Sequence, residues 1–182
     1  LDGTTSFVHG YPFFAVSIGI THRGRAAAGV VYAPYFDELY VGGDTVPATM
    51  NAKPIRASST SALDRALLAT GFAFDRQAKL ERLMAPVECA LRVAHDIRRA
   101  GAASLDLCHV AAGRLDGYFE EGLAPWDVAA GEAIVRAAGG TVTDYRGRPH
   151  DLYGRSVLAT NAQLHAPVIE LLGAAERGRA GV

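Results

Sequence analysis

From residue 96 onward the chain alternates short β-like runs with helix-like segments, and that alternation restricts it to a layered α/β protein. A short strand is expected at Asp96 to Arg98, then a helix over 105–112 with Ser104 as its N-cap and Gly113 as its stop. Leu115 to Glu120 reads as a strand. Trp126-Asp127 precedes a helix over 128–138, ended by Gly139-Gly140. Thr141 to Asp144 and Ser156 to Thr160 read as strands, and Ala166 to Leu172 as a closing helix. The tail over 174–182 is rich in small and charged residues and is expected to fray.

The first half reads as sheet. An apolar run from Phe13 to Ile20, a polar Gly-containing turn and a second run from Ala28 to Tyr32 predict a hairpin, continued by Leu39 to Val41. Residues 44–61 read as loop with a short extended piece near Ile55. Leu80, Leu83, Met84, Val87 and Leu91 recur at helical spacing and predict a helix over about 77–94, which Pro86 should kink or divide. No repeat, low-complexity tract or linker splits the chain, so one domain over 1–182 is expected.

Composition serves mainly to exclude. A net charge of -1 leaves no broad basic field for nucleic acid. Two cysteines, Cys89 and Cys108, lie among largely apolar neighbours and cannot form a secreted-type disulfide framework. They are expected to be reduced thiols in a cytoplasmic protein. No stretch approaches the roughly 18 apolar residues of a membrane span. The six histidines show no HExxH pattern and no zinc-finger spacing with the cysteines. No P-loop or GxSxG stands in the sequence. The chain opens at Leu1 without an initiator Met, and it is read as the C-terminal part of a longer chain.

Three segments could carry chemistry. In Leu1-Asp2-Gly3-Thr4, the Asp2 carboxylate can ligate a hard cation. Gly3 and Thr4 can direct N–H groups at phosphate oxygens, and the Thr4 hydroxyl adds a further hydrogen bond. The plainer alternative is an Asp-Gly turn followed by a capping Thr. In Trp126-Asp127-Val128-Ala129-Ala130-Gly131, Asp127 opens a helix whose positive end favours a carboxylate. A simple helix cap is the alternative there. Ala129, Ala130 and Gly131 permit close packing of that helix. In Gly117-Tyr118-Phe119-Glu120-Glu121-Gly122, a strand-end carboxylate could bind substrate hydroxyls, or the pair could be a solvated acidic turn. Adjacent strand residues face opposite ways, so at most one of the two acids should face a given pocket.

Taken together these segments resemble the inositol monophosphatase family, bacterial type. Leu1-Asp2-Gly3-Thr4-Thr5-Ser6-Phe7-Val8-His9-Gly10 enters the family's first signature, Asp-Pro-(Ile/Leu)-Asp-Gly-Thr-x-Asn-Phe-x-His-Gly, partway. Residues 126–140 match its second signature, Trp-Asp-x-Ala-Ala-Gly-x-x-(Ile/Leu)-Val-x-x-Ala-Gly-Gly. Between them, Arg98 to Leu107 is similar to the family's Arg-x-Gly-Ser-Ala-Ala-x-(Asp/Asn) segment, and Ala112 to Glu120 has the bacterial form. Ser6 replaces the usual Asn, and Ala102 stands where Ser is usual. In the peripheral loop Thr45-Val46-Pro47-Ala48 and Asn51-Ala52 also depart from the family pattern.

The resemblance implies a layered αβαβα sandwich of the inositol monophosphatase/fructose-bisphosphatase type and a homodimer. It implies Mg²⁺ as cofactor, with Asp2, Asp127 and the Leu1 carbonyl as metal ligands. Gly3 and Thr4 would bind phosphate, and Thr4 would orient the nucleophilic water beside Asp2. Glu120 and the Ala103 backbone would contact substrate. The implied reaction is attack of a metal-activated water on a phosphomonoester, most readily inositol-1-phosphate, without a phosphoenzyme. Histidinol phosphate, fructose bisphosphate and 3′-phosphoadenosine 5′-phosphate are alternative substrates, and a non-catalytic binding protein on the same fold is the other class. The family's first Asp ligand, with its Pro, and its earlier metal-binding and water-activating Glu residues have no counterpart in this sequence.

Overall fold

His22-Arg23-Gly24-Arg25 makes a hairpin turn whose two central residues have positive φ, 51° at Arg23 and 80° at Gly24. A two-residue turn of this hand matches the right-handed twist of the strands it joins. It closes β1 (Val16–His22) onto β2 (Arg25–Ala33), and the sheet continues through β3 (Glu38–Gly43). The stretch expected to be loop instead supplies β4 (Val46–Met50) and β5 (Lys53–Pro54). Ladder pairing to β3 overrides the weak local propensity of that Thr-, Pro- and Ala-rich segment. The expected strand from Phe13 begins only at Val16, and a helix not foreseen from the sequence, α1 (Thr4–Val8), precedes it.

Among the residues the computed structural model describes, 1–73 and 76–179, a second sheet has the order β7-β6-β8-β10-β9. These strands are β6 (Leu67–Thr70), β7 (Asp96–Arg98), β8 (Gly117–Glu121), β9 (Thr141–Thr143) and β10 (Ser156–Thr160). β6 pairs in parallel with β7 and β8, while β10 pairs antiparallel with β8 and β9.

The sheets sandwich α3 (Ala103–Ala111) and α4 (Pro125–Ala137). The core between them includes Val31, Tyr40, Leu105, Leu107, Tyr118 and Ile134. On the far side of the second sheet α2 (Leu80–Val93) and α5 (His165–Arg179) pack together over Leu68, Phe119 and Leu158. Among the described residues the layers therefore run sheet, helices, sheet, helices, which are four of the five layers of an αβαβα sandwich. The outer face of the first sheet carries Val16, Ile18, Ile20 and Val30 in the open.

α2 runs unbroken through Pro86. The proline deletes a single i→i−4 bond on a partly exposed helix, and the buried stripe of Leu83, Val87 and Ala90 holds both sides to the core. Leu80, Met84 and Leu91, expected in that stripe, are exposed. The closing helix, expected over 166–172, runs on as α5 past Leu172 to Arg179, where Ala175 is still buried. Of the tail expected to fray, 180–182 lie outside the described residues. Cys89 and Cys108 are both free, and Cys108 is buried. No helix of the described residues is long and apolar enough to cross a membrane.

Candidate functional site

Gly3 has φ 76°, and an added Cβ would stand 2.7 Å from the Phe13 carbonyl oxygen and 3.2 Å from the Ala102 Cβ. Only glycine suits that position, in both conformation and space. The turn it makes leads into α1 and leaves Asp2 bridged to Ala15 by two backbone bonds, 2.8 and 3.0 Å. The Gly3 N–H donates to Asp2 Oδ1 at 2.8 Å. That donor is thus committed to the carboxylate. The first ladder bond of α1 runs from the Phe7 N–H to the Gly3 carbonyl, so the N–H groups of Thr4, Thr5 and Ser6 precede the ladder.

Asp2 Oδ2 accepts two more bonds, both from Ser104: its N–H at 2.8 Å and its hydroxyl at 2.7 Å. Ser104 was expected to cap α3. The cap is Ala102, and Ser104 sits in the first turn with its hydroxyl turned to a residue 102 positions away. Ala103, the other expected contact in this segment, is buried at the first position of α3. Leu1 is exposed.

α4 is set by close backbone approach. Gly19, Gly29 and Gly42 stand in register across β1, β2 and β3. A Cβ on Gly19 would lie 2.6 Å from the Ala129 Cβ, and one on Gly29 would lie 2.5 Å from the Ala130 Cα. On its other side, Gly131 has room for no Cβ against Leu107 of α3, 2.5 Å away. Ala129-Ala130-Gly131 is therefore a packing device, as its small side chains suggested. It carries Asp127 on the first turn of α4, where Oδ2 accepts the Ala124 N–H at 2.9 Å. That contact is the N3 half of a capping box. Asp127 is half-buried; burial, and then the negative charge of Asp2, push its carboxyl upward, against the opposing Ala124 bond.

Glu120 and Glu121 part company as strand geometry requires. Glu121 faces α2 and pairs with Arg82 at 2.7 Å. Glu120 faces α3 and α4, is only 8% exposed, and accepts a short hydrogen bond from the Tyr118 hydroxyl. Its carboxyl rests against Gly71, where a Cβ would lie 2.5 Å from Oε1. Burial pushes Glu120 up to about 7; the Tyr118 bond and Arg99 oppose this, while Asp2 and Asp127 add to it. Asp106, on α3, is 2% exposed and is held well above the usual carboxylate range by burial, then by the charges of Glu120 and Asp2.

Asp2, Asp127, Glu120 and Asp106 thus share one electrostatic neighbourhood, with Arg99 as its cationic neighbour. Sequence reasoning selected the first three. It missed Asp106, Arg99 and the Ser104 hydroxyl, although all three lie in the Arg98 to Leu107 segment. By contrast, Arg114 and Asp116 of the Ala112 to Glu120 segment serve the frame. Arg114 pairs with Glu38 at 2.7 Å, and Asp116 accepts the Leu67 N–H at 2.7 Å and the Ser58 hydroxyl at 2.5 Å.

Among the described residues no group of three or more His, Cys, Asp or Glu side chains could hold a metal ion. The negative charge of Asp2 raises the cost of ionising Asp127, and a pair of neighbouring carboxylates is the kind of oxygen donor set that fits a hard divalent cation, with water and phosphate oxygens completing its shell.

The family model described as "Inositol monophosphatase family" matches residues 1–177. The chain belongs to the inositol monophosphatase family. It is 46% identical over 175 residues to an inositol-1-monophosphatase of Synechocystis sp., covering 96% of this chain and 61% of that protein. It is 42% identical over 164 residues to the Nus factor SuhB of Escherichia coli, covering 90% of this chain and 61% of that protein. The solved inositol monophosphatase from Anabaena (Nostoc) sp. PCC 7120 superposes with a TM-score of 0.92 at 43% identity, over 95% of this chain and 69% of that one. The chain thus spans about three fifths of the length of the two curated relatives.

Proposed function

We propose that the protein hydrolyses a small phosphomonoester, with inositol-1-phosphate as the leading substrate and Mg²⁺ as the metal. The observation that carries this reading is the electrostatic coupling of Asp2 to Asp127, two carboxylates from distant segments, beside the free N–H groups that open α1. In this reading Asp2, Asp127 and the Leu1 carbonyl hold the metal. A bound Mg²⁺ supplies an activated water and stabilises the leaving oxygen. Gly3 fixes the Asp2 carboxylate and lets the chain turn tightly into α1. Thr4, exposed at the start of α1, offers its N–H and hydroxyl to the phosphate and orients the attacking water. The water oxygen forms a new P–O bond, the ester P–O bond breaks, and the departing alcohol takes up a proton.

Glu120 accepts hydrogen bonds from substrate hydroxyls, which requires its carboxylate form. Its placement against Gly71 and Tyr118 leaves it little freedom to move. The Ala103 backbone supplies a further contact. The protein is read as a cytoplasmic homodimer. A net charge of -1 supports a reading without a nucleic-acid partner, although several relatives are named Nus factor or putative Nus factor.

The deciding experiment is phosphatase profiling of the full-length protein over inositol-1-phosphate, histidinol phosphate, fructose bisphosphate and 3′-phosphoadenosine 5′-phosphate, with Mg²⁺ and with chelator. Turnover of inositol-1-phosphate that chelator abolishes is the expected result. Absence of turnover on every ester, with the fold intact, would leave the non-catalytic binding reading. A shift of single-stranded RNA by the protein in a gel would overturn the exclusion of nucleic acid.

A further inference from the structure

We propose that Ser104 is a positioning residue whose hydroxyl fixes the Asp2 carboxylate in the orientation that binds metal. This inference rests on the reading of Asp2 as a metal ligand. A carboxylate offers about four lone-pair sites. Ser104 fills both sites on Oδ2, through its N–H at 2.8 Å and its hydroxyl at 2.7 Å, and the Gly3 N–H fills one on Oδ1. The remaining site is on Oδ1, so that oxygen is the one left for a cation.

The two Ser104 bonds differ in kind. The N–H belongs to the first turn of α3, where the helix ladder leaves donors unused, and any residue but proline at this position would supply it. The hydroxyl is particular to serine. Ser104 is fully buried, so its hydroxyl has no water to turn to and is committed to Asp2. Without it one Oδ2 site loses its partner, and the carboxylate gains freedom to rotate about its last side-chain bond. Asp2 would then have to be ordered when the metal arrives, and that ordering cost weakens binding. Groups that orient a metal ligand commonly affect affinity by 10- to 100-fold.

The test is Ser104→Ala in the full-length protein. Alanine keeps the N–H, fits the space and favours the helix, so the fold is retained. Mg²⁺ binding measured by calorimetry should weaken about tenfold. At saturating Mg²⁺, kcat should fall while KM for the phosphomonoester changes less than twofold. An unchanged Mg²⁺ affinity with only a shifted melting temperature would show that the hydroxyl serves packing, and would overturn the inference. Asp2→Asn run alongside separates the two levels. If Asp2→Asn binds Mg²⁺ as the unaltered protein does, the ligand reading fails. If Asp2→Asn loses Mg²⁺ and Ser104→Ala does not, the positioning role alone fails.

Discussion

Gly29 lies directly beneath Ala130: a Cβ on Gly29 would meet the Ala130 carbonyl oxygen and stand 2.5 Å from its Cα. The contact is backbone against backbone, and neither partner can rotate out of the way. Gly29→Ala is expected to push α4 off the first sheet and destabilise the fold by about 2–3 kcal/mol, a typical cost of overpacking. Urea denaturation checks it. A loss below about 0.5 kcal/mol would mean that the sheet can bend away at no cost.

Asp127 depends on that same seating of α4. Asp127→Asn keeps an oxygen to accept the Ala124 N–H but removes the charge next to Asp2. Turnover is expected to drop at least 100-fold, about 2.7 kcal/mol of barrier, with the melting temperature held or raised. Near-normal turnover in this variant would remove Asp127 from the site.

Glu120 makes stability depend on pH. Its carboxyl rises from near 4.5 to about 7 on folding. Between those values the folded chain keeps a proton that the unfolded chain has lost, so stability falls as pH rises through the window. The drop is roughly 3 to 4 kcal/mol, since each unit is worth about 1.4. In chelator, the unaltered protein should lose more stability from pH 4.5 to pH 8 than Glu120→Gln does. Equal losses in denaturant titrations would contradict the burial-driven shift.

The neighbouring acid supplies the control. Glu121→Gln breaks a partly buried pair with Arg82 on the opposite face of β8. It should cost about 1 kcal/mol of stability and leave KM for the polyol phosphate within twofold. Glu120→Gln should raise KM several-fold. If both variants raise KM alike, the division of the two carboxylates between faces does not govern substrate contact.

How much of this was legible in the sequence depends on the range of the signal. Alternation along the strands assigned Glu120 and Glu121 to opposite faces because that rule involves only adjacent residues. The small residues of Ala129-Ala130-Gly131 announced close packing, yet nothing local named Gly19 and Gly29 as what they pack against. Ser104 looked like a helix cap because serine before an apolar run usually is one. The true cap, Ala102, lacks a side-chain acceptor and carries no such signal. Residues 44–61 looked like loop because their pairing partner, β3, outweighs their own weak propensity.

By itself the sequence determined the layered α/β class and the family, and it proposed the short list Asp2, Gly3, Thr4, Glu120 and Asp127, since these rest on periodicity and on residue order within short segments. Only the tertiary structure decided that Asp2 is held by Ser104, that Asp106 and Arg99 stand beside Glu120, and that α4 rides on a row of glycines. Those contacts join residues far apart in the chain, and their strength comes from burial, which exists only once the sheets and helices have closed around them.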